Sequence, residues 1–473
     1  MGPTLIMIAL GAFVTTLDNT IVAAGAPSIA RDLALDLPTL QWVSIGYMLP
    51  FAGLLPVAGT LVDRWGQAAT LRAGLLAFGA GAAVGGLVTT AWLVIAARVL
   101  QGAAAAFLVP ALLSLLRTNL DERRRAVGAT IWTACLAVAL ALGPTLGGVL
   151  SEYLGWGWIF FVNLPFVAAM LLLLRKVVTG NGSTAGRDPA PGRPAVLSML
   201  VVTAGMVLLT AAVVELGEGG ALLPAVLGLG GAGLAIWFVL RERRARERLV
   251  PGELTGQRVF IGALTVQLLW GLGVSGVFFF TPLLHQESLG LGPVLAGLPL
   301  VVVAVAVVAA TPLVPWAVPR FGPHRTVAAG LATVAAGLLA VAAVNQVPEI
   351  LPRVPGLVLI GAGSALTTPL TSYALEIVAD RHAGTASGLL TASRELSSAL
   401  GVALIGAVLA VVRTARLDDG AASALAQGYT AGLLTAAGLE LTGALLALRL
   451  LNPRRGQSPS RSDKRGAPFL SSR

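Results

Sequence analysis

Fourteen apolar runs follow one another along this chain of 473 residues, and polar residues crowd into the gaps between them. They fall at roughly 4–27, 40–62, 71–90, 92–116, 126–150, 158–175, 195–215, 221–240, 259–283, 293–317, 326–345, 351–373, 384–411 and 429–448. Runs of about twenty residues with few or no charges are long enough to cross a bilayer as helices. The pattern predicts an all-α polytopic membrane protein with 14 transmembrane helices.

Composition strengthens that reading. The chain is 56% hydrophobic and only 11% charged, which an ordinary soluble domain does not match. With the N-terminus placed in the cytoplasm, 26 of the 32 Lys and Arg fall on inside loops and the C-terminal tail. Four, Arg31, Arg353, Arg413 and Arg416, fall on outside loops, and Arg98 and Arg394 fall within spans. This is the positive-inside bias, and an even span number puts both termini in the cytoplasm. The net charge of +10 therefore marks membrane edges and contact with anionic lipid rather than nucleic acid. Cys135 is the sole cysteine and lies in a span, so it is read as a packing residue. The first run is too long for a signal-peptide core and lacks a basic flank, so it is read as a retained span. Heavy use of Ala, Gly and Arg over Lys points to a GC-rich bacterial genome, hence to a bacterial cytoplasmic membrane.

The polar stretch 176–194 has linker composition, with Gly, Ser and three prolines. It divides the chain as 6+2+6: a six-helix bundle over 1–175, linker, two extra helices and a basic loop over 176–258, a second six-helix bundle over 259–451, and a disordered tail over 452–473. The two bundles echo each other. Arg64-Trp65-Gly66 is matched by Arg320-Phe321-Gly322, and Gly102, Pro110 and Asp121 have the spacing of Gly361, Pro369 and Asp380. Repeated six-helix units about a central cavity are a common plan for secondary transporters. Charge is not repeated: Leu357 stands where Arg98 would, and Pro319 where Asp63 would.

An ionisable group inside a span is by default a functional candidate. Asp18 lies about 14 Å, and Arg98 about 9 Å, from the outer ends of their spans at 1.5 Å per residue. A carboxylate in a poorly hydrated site near a guanidinium can bind and release a proton, as proton coupling requires. The competing reading is a permanent ion pair between two spans. Arg394 and Glu395 in the thirteenth span and Glu440 in the fourteenth lie near mid-bilayer. Either Arg394 pairs with Glu440, or the acids attract a cationic substrate. Gly143-Pro144-Thr-Leu-Gly147-Gly148 sets a helix breaker among small residues, which serves close packing or a bend at which a carrier rocks. Gly59, Asp63, Arg64 and Gly66, at the inner end of the second span, are candidates for an inner gate. Trp42, Tyr47, Gln101, Glu395 and Glu440 are candidates for a substrate cavity, with membrane-interface anchoring as the competing role for the aromatics.

These residues resemble the major facilitator superfamily, specifically its fourteen-span drug:proton antiporter branch. Leu17-Asp18-Asn19-Thr20-Ile21-Val22 is similar to that branch's first-span signature, Gly59–Gly66 to the superfamily loop motif, and Arg98-Val-Leu-Gln101-Gly102 to the fourth-span motif. Gly143–Gly148 resembles the antiporter motif, and Gly155-Trp-Gly-Trp-Ile-Phe-Phe-Val-Asn163-Leu-Pro165 the start of the sixth span. Gln67 and Ala68 depart from the basic residues usual after Gly66, as do Asn19 and Gly25 from common choices in the first signature. The resemblance implies a major-facilitator fold, proton coupling through Asp18 and Arg98, an inner gate at 59–66 and helix packing for exchange at Gly143–Gly148.

The expected function is multidrug or antibiotic efflux: a small hydrophobic or amphipathic molecule leaves in exchange for protons, for resistance or for export of a self-made antibiotic. The partners are that substrate, protons and the lipid bilayer, with no nucleic acid and no partner protein. No phosphate-binding loop ending in Gly-Lys-Ser/Thr is present, so the proton gradient supplies the energy. The alternative is proton-coupled uptake of a small metabolite on the same fold. An embedded enzyme would need clustered carboxylates or histidines, and His285, His324 and His382 are scattered, so no enzyme, cofactor or metal site is expected. A sensor would show a sizeable soluble domain, and none is read.

Overall fold

A computed structural model describes residues 2–178, 193–245, 250–379 and 382–452. The side chains of 56, 57, 60, 61, 63, 64, 178, 193–196, 199 and 419 are not described. Most of the linker and the tail beyond Asn452 thus lie outside it. In order, the helices are α1 (Pro3–Asp32), α2 (Leu37–Trp65), α3 (Gln67–Leu87), α4 (Ala91–Thr118), α5 (Glu122–Tyr153), α6 (Asn163–Val178, preceded by the turn Trp158–Phe161) and α7 (Arg193–Leu216). Then come α8 (Leu222–Arg244), α9 (Arg258–Leu289), α10 (Pro293–Ala310, running on through Val314–Phe321) and α11 (Pro323–Val344). The last three are α12 (Val354–Thr367, continued by Pro369–Glu376), α13 (Ala383–Ala415) and α14 (Ala421–Leu450). Among the described residues, 12 helices are long and apolar enough to cross a membrane. The other two, α2 and α7, occupy the second and seventh predicted runs, and the apolar part of α7 that qualifies as a shorter helix is Leu200–Leu216.

Apart from 179–192 and 246–249, which lie outside the described residues, consecutive helices are joined by short connections, and they alternate in direction. One face of the molecule therefore carries the start of α1 and the end of α14, here the terminal face. The opposite, far face carries the α1–α2, α5–α6, α9–α10 and α13–α14 connections. Side chains start and stop the helices where chemistry dictates. Asp36 and Asp121 cap α2 and α5 by accepting from the backbone N–H of Thr39 (2.9 Å) and Arg124 (2.8 Å). Many outward side chains stay apolar, Leu222 at 79% exposure and Trp92 at 76% among them, as lipid-facing helices require.

Helices α1–α6 pack on one another, chiefly α1 on α5, α2 on α4 and α3 on α4. Helices α9–α14 do likewise, through α9 on α13 and α14, α11 on α12 and α14, and α10 on α12. The groups meet along α2 with α13, α5 with α10, and α1 with α9 and α10. Helix α7 lies against both α2 and α13, and α8 packs on α7.

The sequence repeat has a physical basis. Gly66 and Gly322 both sit in the left-handed region, at φ 82° and 81°, where the chain turns from second to third helix of each group. A Cβ on Gly102 would lie 2.1 Å from the Tyr47 carbonyl oxygen, and one on Gly361 2.4 Å from that of Val303. In both groups, then, the fourth helix rests on the backbone of the second through a glycine. Asp380 lies outside the described residues. Gly102→Ala must push α2 from α4, and overpacking of this kind costs about 1–3 kcal/mol. The variant is expected to lose thermal stability in detergent, read as an earlier loss of its size-exclusion peak on heating, with Gly361→Ala behaving alike.

Candidate functional site

Halfway along α1, Asp18 is fully buried and is met by three donors from two helices. Arg98 of α4 donates from Nη1 to Oδ2 at 2.5 Å, Gln101 from Nε2 to Oδ1 at 2.9 Å, and Asn163 from Nδ2 to Oδ1 at 2.8 Å. Spacing on α4 explains two of them, since residues three apart share a helix face. Arg98 Nη1 also donates to Gln101 Oε1 at 3.1 Å. Asn163 comes from a different device. The turn Trp158–Phe161 breaks before α6, and Asn163 ties back to the Phe160 carbonyl at 3.2 Å while reaching Asp18.

Helix α2 completes the enclosure. Arg98 Nε donates to the Val43 carbonyl at 3.1 Å, and its guanidinium lies 4.4 Å from the Tyr47 ring centroid, a cation–π stack. The Tyr47 hydroxyl donates to the Thr15 carbonyl at 3.4 Å. Two polar atoms in the cluster, Arg98 Nη2 and Asn163 Oδ1, have no hydrogen-bond partner. The arrangement can hold a negative charge on Asp18 firmly, and it loses most of its attraction when that charge is neutralised by a proton.

Of the candidate cavity residues, Tyr47 and Gln101 belong to this enclosure and are sealed from solvent, Glu395 and Glu440 are buried, and Trp42 is half-buried against the core. The Arg394–Glu440 pair does not form. Arg394 donates to its own neighbour, Glu395 Oε1, at 3.2 Å: its long side chain bends back across the angle separating adjacent residues. Among the described residues Glu440 has no partner on either carboxylate oxygen. Arg353 adds a feature the sequence reading did not anticipate. It lies in the connection between α11 and α12, in the turn Leu351–Arg353, yet is buried there, bonded to the Asn345 and Val347 carbonyls and to His285 Nε2 at 3.2 Å. Of the inner-gate candidates, Gly59 and Gly66 have, among the described residues, no atom within 4 Å of an added Cβ, and the Asp63 and Arg64 side chains lie outside the described residues. Among the described residues no group of three or more His, Cys, Asp or Glu is placed to hold a metal.

The Gly143–Gly148 segment lies in the far half of α5 and faces two ways. Cβ atoms on Gly143 and Gly147 would meet α1, at 2.0 Å from Thr20 Oγ1 and 2.6 Å from the Ile21 carbonyl. One on Gly148 would meet α10 of the other group, 2.8 Å from the Pro293 carbonyl, while Gly297 of α10 approaches the Pro144 carbonyl. Glu152 accepts from the Val294 N–H at 3.0 Å, and Gly406 of α13 packs on Gln41 of α2. All these contacts between the two groups lie toward the far face.

Residues 8–402 match the Major Facilitator Superfamily. The chain belongs to that superfamily. It is 32% identical over 474 residues, 95% of this chain and 91% of the relative, to the puromycin resistance protein pur8 of Streptomyces alboniger. It is 33% identical to the cephamycin export protein CmcT of Amycolatopsis lactamdurans, covering 83% of this chain and 82% of that one. Solved structures share the superfamily fold at low identity. A peptide transporter POT in complex with sulfate aligns at TM-score 0.70 and 15% identity, over 96% of this chain and 95% of its own. A D-xylose-proton symporter aligns at 0.65 and 14%, over 96% and 99%. The chain is thus a multi-span superfamily transporter of small molecules and not an enzyme.

Proposed function

We propose that this chain is a proton-coupled antiporter that exports hydrophobic or amphipathic small molecules, antibiotics among them, across the bacterial cytoplasmic membrane. The observation that carries the coupling is the enclosure of Asp18, a charge inside an apolar helix with three donors and no solvent. Resistance and export relatives aligned over most of the chain support the cargo and its direction.

Ionised, Asp18 clamps α1 to α4 and α6; protonated, it offers those donors far less. Helix α1 also touches α9 and α10, so its state is linked to how the bundles tilt. We read the chain as fourteen crossings in a 6+2+6 plan with both termini cytoplasmic, supported by the charge bias and by α2 and α7 at the second and seventh runs. The far face is then exterior and closed, with the cavity open inward. In support, the Arg394 side chain keeps 49% exposure about 16 Å from the terminal face, and a mid-bilayer cation is tolerated where it faces water. Gly59, Asp63, Arg64 and Gly66 would close that inner opening in the alternate state.

Cells expressing the chain are expected to tolerate higher concentrations of a subset of amphipathic antibiotics, with protection lost on adding a protonophore. Protection against no compound of a broad panel, or protection indifferent to the protonophore, overturns the proposal.

A further inference from the structure

Glu440 is the one described acid buried to 0% exposure whose two carboxylate oxygens both lack a partner. It lies in α14 among Ala436, Ala437, Gly443 and Ala444, against α9 at Gly273, where an added Cβ would come 2.6 Å from Oε1. An ionised carboxylate in such surroundings costs several kcal/mol, because neither cation nor hydrogen bond repays its lost hydration.

The ionisable groups on the elements packed against α14 do not supply one. Helix α9 carries Arg258, His285 and Glu287 and α11 carries His324 and Arg325, all near helix ends; α13 carries Arg394, Glu395 and Arg413. Asp418 precedes α14, which itself bears Tyr429 and Arg449. None bonds to Glu440. At its depth, only Arg394 and Glu395 compete, and they bond to each other. The Tyr429 hydroxyl is taken by Thr281 at 2.6 Å.

We propose that Glu440 is a second proton-binding site of the carrier, loaded when its carboxyl is sealed against α9 as in this structure and emptied when α9 moves away. Helix α9 is built to make and break such a seal. Gly271, Gly273 and Gly276 receive Ser397 of α13, Glu440 of α14 and the Gly401 carbonyl of α13 in turn. Helix α9 also packs against α1, the helix of Asp18. Tilting of the bundles therefore reaches both acids through one helix. This inference rests on the proton-coupled reading above.

The test uses purified full-length protein and reads two quantities. Infrared spectra in H2O and D2O are expected to show the carbonyl stretch of a protonated carboxyl without hydrogen bonds, at the high-frequency end of that band. Glu440→Gln should remove it, and Asp18→Asn should leave it. In proteoliposomes, Glu440→Gln is expected to lose drug accumulation driven by a pH difference and keep drug-for-drug counterflow at the wild-type rate. A protonated glutamate and a glutamine are nearly isosteric, so the variant should fold; if it does not, Gly273→Ala, which crowds Oε1, should shift the band. Absence of a Glu440-dependent band, no shift in Gly273→Ala, or unchanged pH-driven accumulation in Glu440→Gln overturns the proposal. A wild type that accumulates no drug under a pH difference instead sinks the antiport reading, and the infrared band still reports on Glu440 by itself.

Discussion

Replacing Asp18 by asparagine is expected to bring antibiotic export down to that of cells lacking the protein. Two effects combine. The asparagine cannot take up a proton, so the exchange has no carrier at this position. It also leaves the Arg98 guanidinium buried without its carboxylate, and breaking a buried pair from one side costs about 3–5 kcal/mol. The second effect is separable. Arg98→Gln should be destabilising by a similar amount, because Asp18 would keep only Gln101 and Asn163 as donors. In Asp18→Asn/Arg98→Gln no charge remains buried in this enclosure, so thermal stability should return toward wild type while export stays absent. That non-additivity marks residues in direct contact. Export that remains sensitive to a protonophore in Asp18→Asn would remove this carboxylate from the mechanism. Additive losses of stability in the double variant would deny the ion pair its energetic role.

How much of this was legible in the chain depends on which physical signal each residue carries. Asp18 and Arg98 stand out because charges are scarce in apolar runs, and counting residues from the span ends placed them at similar depth. The shared device at Gly66 and Gly322, and that at Gly102 and Gly361, was legible as spacing, since steric need for a missing Cβ recurs at fixed positions. The partners were harder. Tyr47, Gln101 and Asn163 come from three different helices, and one sequence does not give the rotation of each about its axis. Gln101 follows Arg98 by three residues and shares its face, which is a usable signal. Asn163 stood within a quoted motif with no role attached; an amide beside Pro165, where a helix restarts, was the available clue. The burial of Arg353 within the α11–α12 connection was not legible, because a cation at a helix start can point inward when backbone carbonyls such as those of Asn345 and Val347 receive it. Of the two readings left open for Arg394 and the nearby acids, the pair with Glu440 does not form, since a side chain as long as arginine's can bend back to its own neighbour Glu395.

Gly148→Val is expected to abolish export by a different route, keeping the Asp18 enclosure intact. A Cβ at this position would lie 2.8 Å from the Pro293 carbonyl oxygen and 2.9 Å from the Val294 Cα, both backbone atoms of α10 that cannot swing aside. Gly143 and Gly147 face α1 within their own bundle, whereas Gly148 faces the other bundle across the far-face closure. Valine there opposes one conformation and leaves the packing of each bundle untouched. Overpacking of about 1–3 kcal/mol directed against the closed state shifts a two-state equilibrium by roughly 5–150-fold. The variant should therefore fold and melt like wild type and dwell with its far face open. Spin labels on Tyr153→Cys and Leu295→Cys, with Cys135 replaced, report this directly: both positions are exposed, at 72% and 49%, and flank the α5–α10 contact. Their separation is expected to lengthen in Gly148→Val, whereas Gly147→Val, wedged against the Ile21 carbonyl, should lose stability instead. An unchanged distance distribution in Gly148→Val would show that α5 and α10 do not part at this glycine, and the rocking role assigned to Gly143–Gly148 would fail with it.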